Sequence, residues 1–157
     1  MYAGAVRAAA RRVALPVTLA LGGLSLWYGQ SPPRTAGAYG SRAAESARLL
    51  SSQTSTAALW ADAIRSGRVT GPAAAVALEE AEGDARTTAG RFSSWDPPPG
   101  TEPVRREVVA LADEATRQLT DARIAAHEGR PSEVVARSAT LKRLSGQLQQ
   151  LAERVAP

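Results

Sequence analysis

A chain of 157 residues without cysteine, and with a single histidine and a single methionine, lacks the material for disulfides, thiolate metal sites, cysteine nucleophiles or c-type haem attachment. Its formal charge of +4 invites a nucleic-acid reading only until the charges are located. Arg7, Arg11, Arg12 and Arg34 precede Tyr39 with no acidic residue among them, which leaves 15 basic against 15 acidic residues in the rest; that neutral remainder has no basic stripe with which to neutralise phosphates, so no nucleic-acid partner is expected.

Residues 1–12 form a short basic segment that positive charge holds on the cytoplasmic side. Residues 13–29 follow as an apolar signal segment. The run from Val13 to Tyr28 is just short of the ~17–25 residues of a spanning helix and just longer than the ~7–15 of a cleavable signal. Trp27 and Tyr28 fall where an outer interfacial belt places amphipathic rings, which favours a retained anchor. The alternative is cleavage after Ala38, at the small-residue pattern Ala36-Gly37-Ala38, and secretion of a chain beginning at Tyr39. Arg11-Arg12 lacks the bulky pair that a twin-arginine signal places after it. Thr18, Gly22, Ser25 and Gly29 share one helical stripe and would let two anchors approach closely.

Residues 30–40 read as a Pro/Gly/Ser linker, and residues 41–157 as an extracytoplasmic helical bundle. Ser41 is the expected cap of a helix over 41–66, in which Ala43, Ala47, Leu50, Thr54, Ala57, Ala61 and Ile64 recur at steps of four and three. A second helix over 71–94 carries Ala74, Leu78, Ala81, Ala85, Thr88 and Phe92, with Pro72 tolerated in its first turn. Trp95-Asp96-Pro97-Pro98-Pro99-Gly100 then ends the helix, because consecutive prolines remove amide donors. Thr101 is the expected cap of a third helix over 102–128, with Val104, Val108, Leu111, Ala115, Leu119, Ala122 and Ala126 on one face. The fourth, over 132–155 with Ser132 as cap, places Val134, Leu141, Leu148 and Val155 in heptad register, with Leu144 and Leu151 between them.

The expected fold is therefore all-α: an N-terminal transmembrane or signal helix followed by an antiparallel four-helix bundle. A core so rich in alanine offers little apolar area per residue. Self-association or a protein partner is the expected complement, alongside the membrane contact of residues 13–29.

No catalytic, cofactor-binding or metal-ligating residue is assigned. His127 has Ile124 three positions before it and so lacks the Glu-x-x-His spacing of di-iron bundles; its position at a helix end suits contact with the last carbonyls. Glu79, Glu80, Glu82 and Asp84 form the densest acidic patch, read as a solvated face paired with arginines such as Arg86. Ser25 misses the nucleophile-elbow pattern, and there is no phosphate-binding glycine loop. Phe92 and Trp95 are expected to pack at a bundle end, and Trp60 stands off the main stripe of its helix. The function these features favour is that of a non-enzymatic envelope protein acting through helix–helix contacts. The alternatives are a secreted bundle binding a small apolar ligand or lipid, and an enzyme without a recognisable motif.

Overall fold

The structure is a computed structural model and describes residues 34–157. The expected basic segment 1–12 and signal segment 13–29 lie outside the described residues. Among the described residues there is no strand, and no helix is long and apolar enough to cross a membrane. Four helices account for the described residues: α1 (Ala36–Arg65), α2 (Gly71–Ser93), α3 (Glu102–His127) and a fourth in two segments, α4 (Pro131–Ala136) and α5 (Ser138–Val155).

The start of α1 corrects the sequence reading. The linker expected over 30–40 gives way to helix at Ala36, and the cap is Thr35, whose Oγ1 accepts the Ala38 amide at 3.2 Å. Ser41 lies within the helix and its hydroxyl donates back to the Gly37 carbonyl, a local bond that a hydroxyl makes as readily inside a helix as at its end. The extra turn buries Tyr39 completely against Phe92, with ring centroids 5.5 Å apart. Such a contact between an aromatic of one helix and one of another stabilises by more than its area alone, and it is invisible to local composition.

Two other caps differ from expectation. Thr101 occupies the position before α3, yet its hydroxyl donates to the Pro98 carbonyl and leaves the α3 amides alone. The fourth helix begins at Pro131, so Ser132 is already inside it. That helix is also interrupted. At Arg137 an amide reaches the Val134 carbonyl three residues back, a tighter bond than the α-helical one, and the axis restarts at Ser138. Gly67 and Gly129 end α1 and α3 with left-handed φ of 67°, a conformation that costs glycine nothing.

Side-chain contacts fix the direction of each neighbouring pair. Gln53 meets Asp84 and Tyr39 meets Phe92, so α1 and α2 run antiparallel. Glu82 meets Arg123, and the Arg105 guanidinium meets the Ser93 carbonyl, which does the same for α2 and α3. Asp121 meets Arg137 and Glu107 meets Arg154 between α3 and the fourth helix. Ser51 meets Ser145 and Asp62 meets Ser138 between α5 and α1. The predicted apolar stripes form the core: Ala43, Ala47, Leu50, Ala57, Ala61, Leu78, Val108, Leu119, Leu141 and Leu148 are all buried. Helix α1 packs against every other helix, most extensively against α5.

Alanine permits that closeness, and at one point even alanine would be too large. A Cβ placed on Gly40 would lie 2.8 Å from the Val155 carbonyl oxygen, inside contact distance with backbone that cannot swing away. Gly83, by contrast, has open space around it. Gly83→Ala should therefore stabilise the chain by about 0.5–1 kcal/mol through helix propensity, whereas Gly40→Ala should destabilise it by about 1 kcal/mol net, because overpacking outweighs the same gain. Urea unfolding of the two variants checks the opposite signs.

Candidate functional site

Three features of the described residues are chemically distinctive. The first is a buried carboxylate. Leu78, Glu82 and Ala85 share a helical stripe, so the turn of α2 that buries Leu78 and Ala85 carries Glu82 inward as well, to 3% exposure. This corrects the reading of Glu82 as part of a solvated face. Its Oε1 accepts from Arg86 and, at 2.7 Å, from the Thr120 hydroxyl; its Oε2 accepts from Arg123. Burial opposes the charge, but the hydrogen bonds from Thr120 and Arg123, with the positive charges of Arg123 and Arg86, outweigh it and hold the carboxyl below its ordinary value.

A carboxylate so occupied cannot serve as a general base, since both oxygens are already engaged by α3 and by its own helix. Its physical role is to clamp α2 to α3. The rest of the acidic patch is dispersed: Asp84 accepts from Gln53 of α1, Glu79 lies 3.9 Å from His127 with both side chains largely exposed, and Glu80 faces solvent. Among the described residues no three histidine, aspartate or glutamate side chains converge as a cation would require. The sequence signal for Glu82 was its place between Leu78 and Ala85 on the apolar stripe.

The second feature is an aromatic cluster where the N-terminal end of α1 meets the C-terminal end of α2. Phe92 stacks edge-on against Trp95 with centroids 6.0 Å apart, and the Arg42 guanidinium lies 5.8 Å from the Trp95 ring. Both rings are buried, as expected of core residues. Arg105 closes α2 by donating to the Ser93 and Trp95 carbonyls, groups a helix terminus otherwise leaves unpaired. The Tyr39 hydroxyl, buried beside these residues, has no hydrogen-bond partner among the described residues; burial pushes its pKa up, opposed by the nearby Arg105 charge.

The third is a surface groove where α1 runs into its turn, with a volume of about 380 Å³, lined by Thr56, Leu59, Trp60, Ala63, Arg68 and Val69. Leu59 stands 68% exposed at its edge, while Trp60 packs partly against the core. A second cleft between α1 and α5 is lined by Arg48, Ser52, Gln149 and Glu153 over a floor of Ser51 and Ala152. Beneath it the hydroxyls of Ser51 and Ser55 both lie within hydrogen-bonding distance of Ser145, at 3.0 and 2.6 Å, so the buried polar groups of this seam satisfy one another. No family model, characterised protein or solved structure matches this chain.

Removing the Glu82 carboxylate strands two guanidiniums and a hydroxyl. Glu82→Ala should cost about 2 kcal/mol at neutral pH, with Arg86 recovering water but Arg123 only in part. Because the folded pKa lies below the unfolded one, this contribution is complete above the ordinary carboxylate range and fades as pH falls through the lowered value. The gap between parent and variant in urea unfolding should accordingly close in acid. Nearer the end of α2, Tyr39→Phe deletes a buried hydroxyl that lacks a well-aligned hydrogen bond and has only the nearby Arg105 charge to offset its desolvation. It should raise stability by up to about 1 kcal/mol, a gain seen as a higher urea midpoint with an unchanged slope.

Proposed function

We propose that this chain is a single-pass membrane protein, N-terminus inside, whose antiparallel helical bundle stands beyond the membrane and acts there through helix–helix contacts. Residues 13–29 serve as the anchor, led in by Arg7, Arg11 and Arg12. The observation that carries the contact role is the outward face of α1: from Leu49 to Ala61 the helix holds no charged residue, and Leu49 and Leu59 project from it into solvent, Leu59 at the edge of the Trp60 groove. A helix with a charge-free face on both its inner and outer sides is suited to a further partner.

A role without catalysis is supported by the way interior polar groups are spent on one another, Glu82 on α3 and Ser51 on Ser145. Retention of the anchor is supported by the start of α1. Cleavage after Ala38 would remove the Thr35 cap and the first helical turn, and would leave Tyr39, a core residue, as the new terminus. The test is fractionation of the full chain with a tag after Pro157. The tagged chain should stay in the membrane fraction through alkaline extraction, and the tag should be digested by protease added from outside. A product beginning at Tyr39 in the medium, or a tag shielded in the cytosol, overturns the proposal.

A further inference from the structure

We infer that the occupant of the outward α1 face is a second copy of this chain, docked antiparallel across a two-fold axis at Thr56. The inference rests on the contact role proposed above and is independent of the anchor. Glu45, Leu49, Ser52, Thr56, Leu59 and Ala63 recur at steps of four, three, four, three and four, which aligns them as one stripe along α1. Of these, Glu45, Leu49, Ser52 and Leu59 are exposed and Thr56 and Ala63 half-buried, so the stripe lies on the solvent side of α1, with Ser52 at the rim of the cleft toward α5.

The stripe is bounded by opposite charges. Glu45 opens it, and Arg68 closes it at the rim of the Trp60 groove. Thr56 stands within one residue of their midpoint, and Arg68, in the turn just beyond the end of α1, lines the same groove as Leu59 and Ala63, so a two-fold rotation at Thr56 brings each Glu45 near the other copy's Arg68, twice per pair. An isologous contact requires that self-complementarity. A parallel arrangement would instead set Glu45 against Glu45. Both groups are available. The existing partner of Glu45 is Arg42, three residues away in an exposed pair, and Arg68 bonds only the Ser66 hydroxyl among the described residues.

Side-chain sizes fit the same register. Leu49 comes opposite Ala63, and Leu59 opposite Ser52 and Gln53, so each projecting leucine meets short or pliant side chains. Thr56 meets its own copy, where a small residue lets the axes approach. On the flank toward α5, Arg48 comes level with Asp62 of the second copy, which Arg65 and Lys142 both already bond, so this flank adds no attraction and the end pairs carry the register. The run from Glu45 to Arg65 is about 30 Å long at 1.5 Å per residue, and one helix face of that length buries less than the ~800 Å² per partner of a standard interface. The pair therefore exchanges rapidly, and confinement at a surface would favour it.

The absence of cysteine makes single-cysteine variants of the full chain clean reporters. Under mild oxidation Thr56→Cys should form a disulfide-linked dimer several-fold faster than Gly83→Cys, an exposed control position on α2 with open space around it. In the Thr56→Cys background, Glu45→Arg and Arg68→Glu should each slow crosslinking several-fold, and the double variant Glu45→Arg/Arg68→Glu should restore it. Equal rates at positions 56 and 83 overturn the pairing. A double variant as slow as the singles overturns its register. Because these rates are read on the full chain in its own membranes or in the medium, a failed dimer leaves the anchor test untouched, and a released chain that still crosslinks at Thr56 leaves the pairing intact.

Discussion

The smallness of alanine governs this molecule. Ala43, Ala44, Ala47, Ala57, Ala58 and Ala61 on α1 are buried almost completely, as are Ala74, Ala75, Ala81 and Ala85 on α2 and Ala112, Ala115, Ala122, Ala125 and Ala126 on α3. Helices lined in this way approach until backbones nearly touch, and at Gly40 a carbonyl occupies the space where a side chain would be. Helix α1 can thereby pack against all the other helices. The same smallness limits how much apolar area each contact removes from water, so packing alone provides a shallow gain per residue.

Polar cross-links supply what the alanines do not. Each neighbouring pair of helices carries one: Gln53 to Asp84, Glu82 to Thr120 and Arg123, Gln118 to Arg137, and Asp62 to Ser138 and Lys142. Most lie at the margins of the core, where water still screens them and each contributes modestly. Glu82 is the exception. Its burial makes it directional, since only a rotation of α3 that presents Thr120 and Arg123 satisfies both oxygens, and any other leaves a charge stranded in an apolar setting.

That arrangement also leaves one face of the most central helix without a partner among the described residues. The stretch from Leu49 to Ala61 is uncharged all round, so the side turned from the core is nearly as suited to helix contact as the side turned toward it. In ordinary amphipathic helices an outward face carries charges that discourage further association. Here charges stand only at the two ends, Glu45 and Arg48 before the stretch and Asp62 and Arg65 after it, each end carrying both signs.

The helical stripes were legible from apolar spacing, because a period of 3.6 residues is a local property of the chain. Gly67, Gly129 and the run Pro97-Pro98-Pro99 marked the turns for an equally local reason, through backbone conformations that other residues disfavour. What escaped local reading were positions whose state depends on a distant partner. Tyr39 looked like linker until Phe92 buried it; Glu82 looked solvated until Thr120 and Arg123 closed over it; the break at Arg137 coincides with side chains that bond Asp121 on one side and Asp62 on the other. Among the described residues, the sequence by itself determined the number of helices and which stripe of each is apolar. Only tertiary structure decided which polar residues are interior and which face of α1 is left open, because burial is a property of neighbours that lie tens of residues away along the chain.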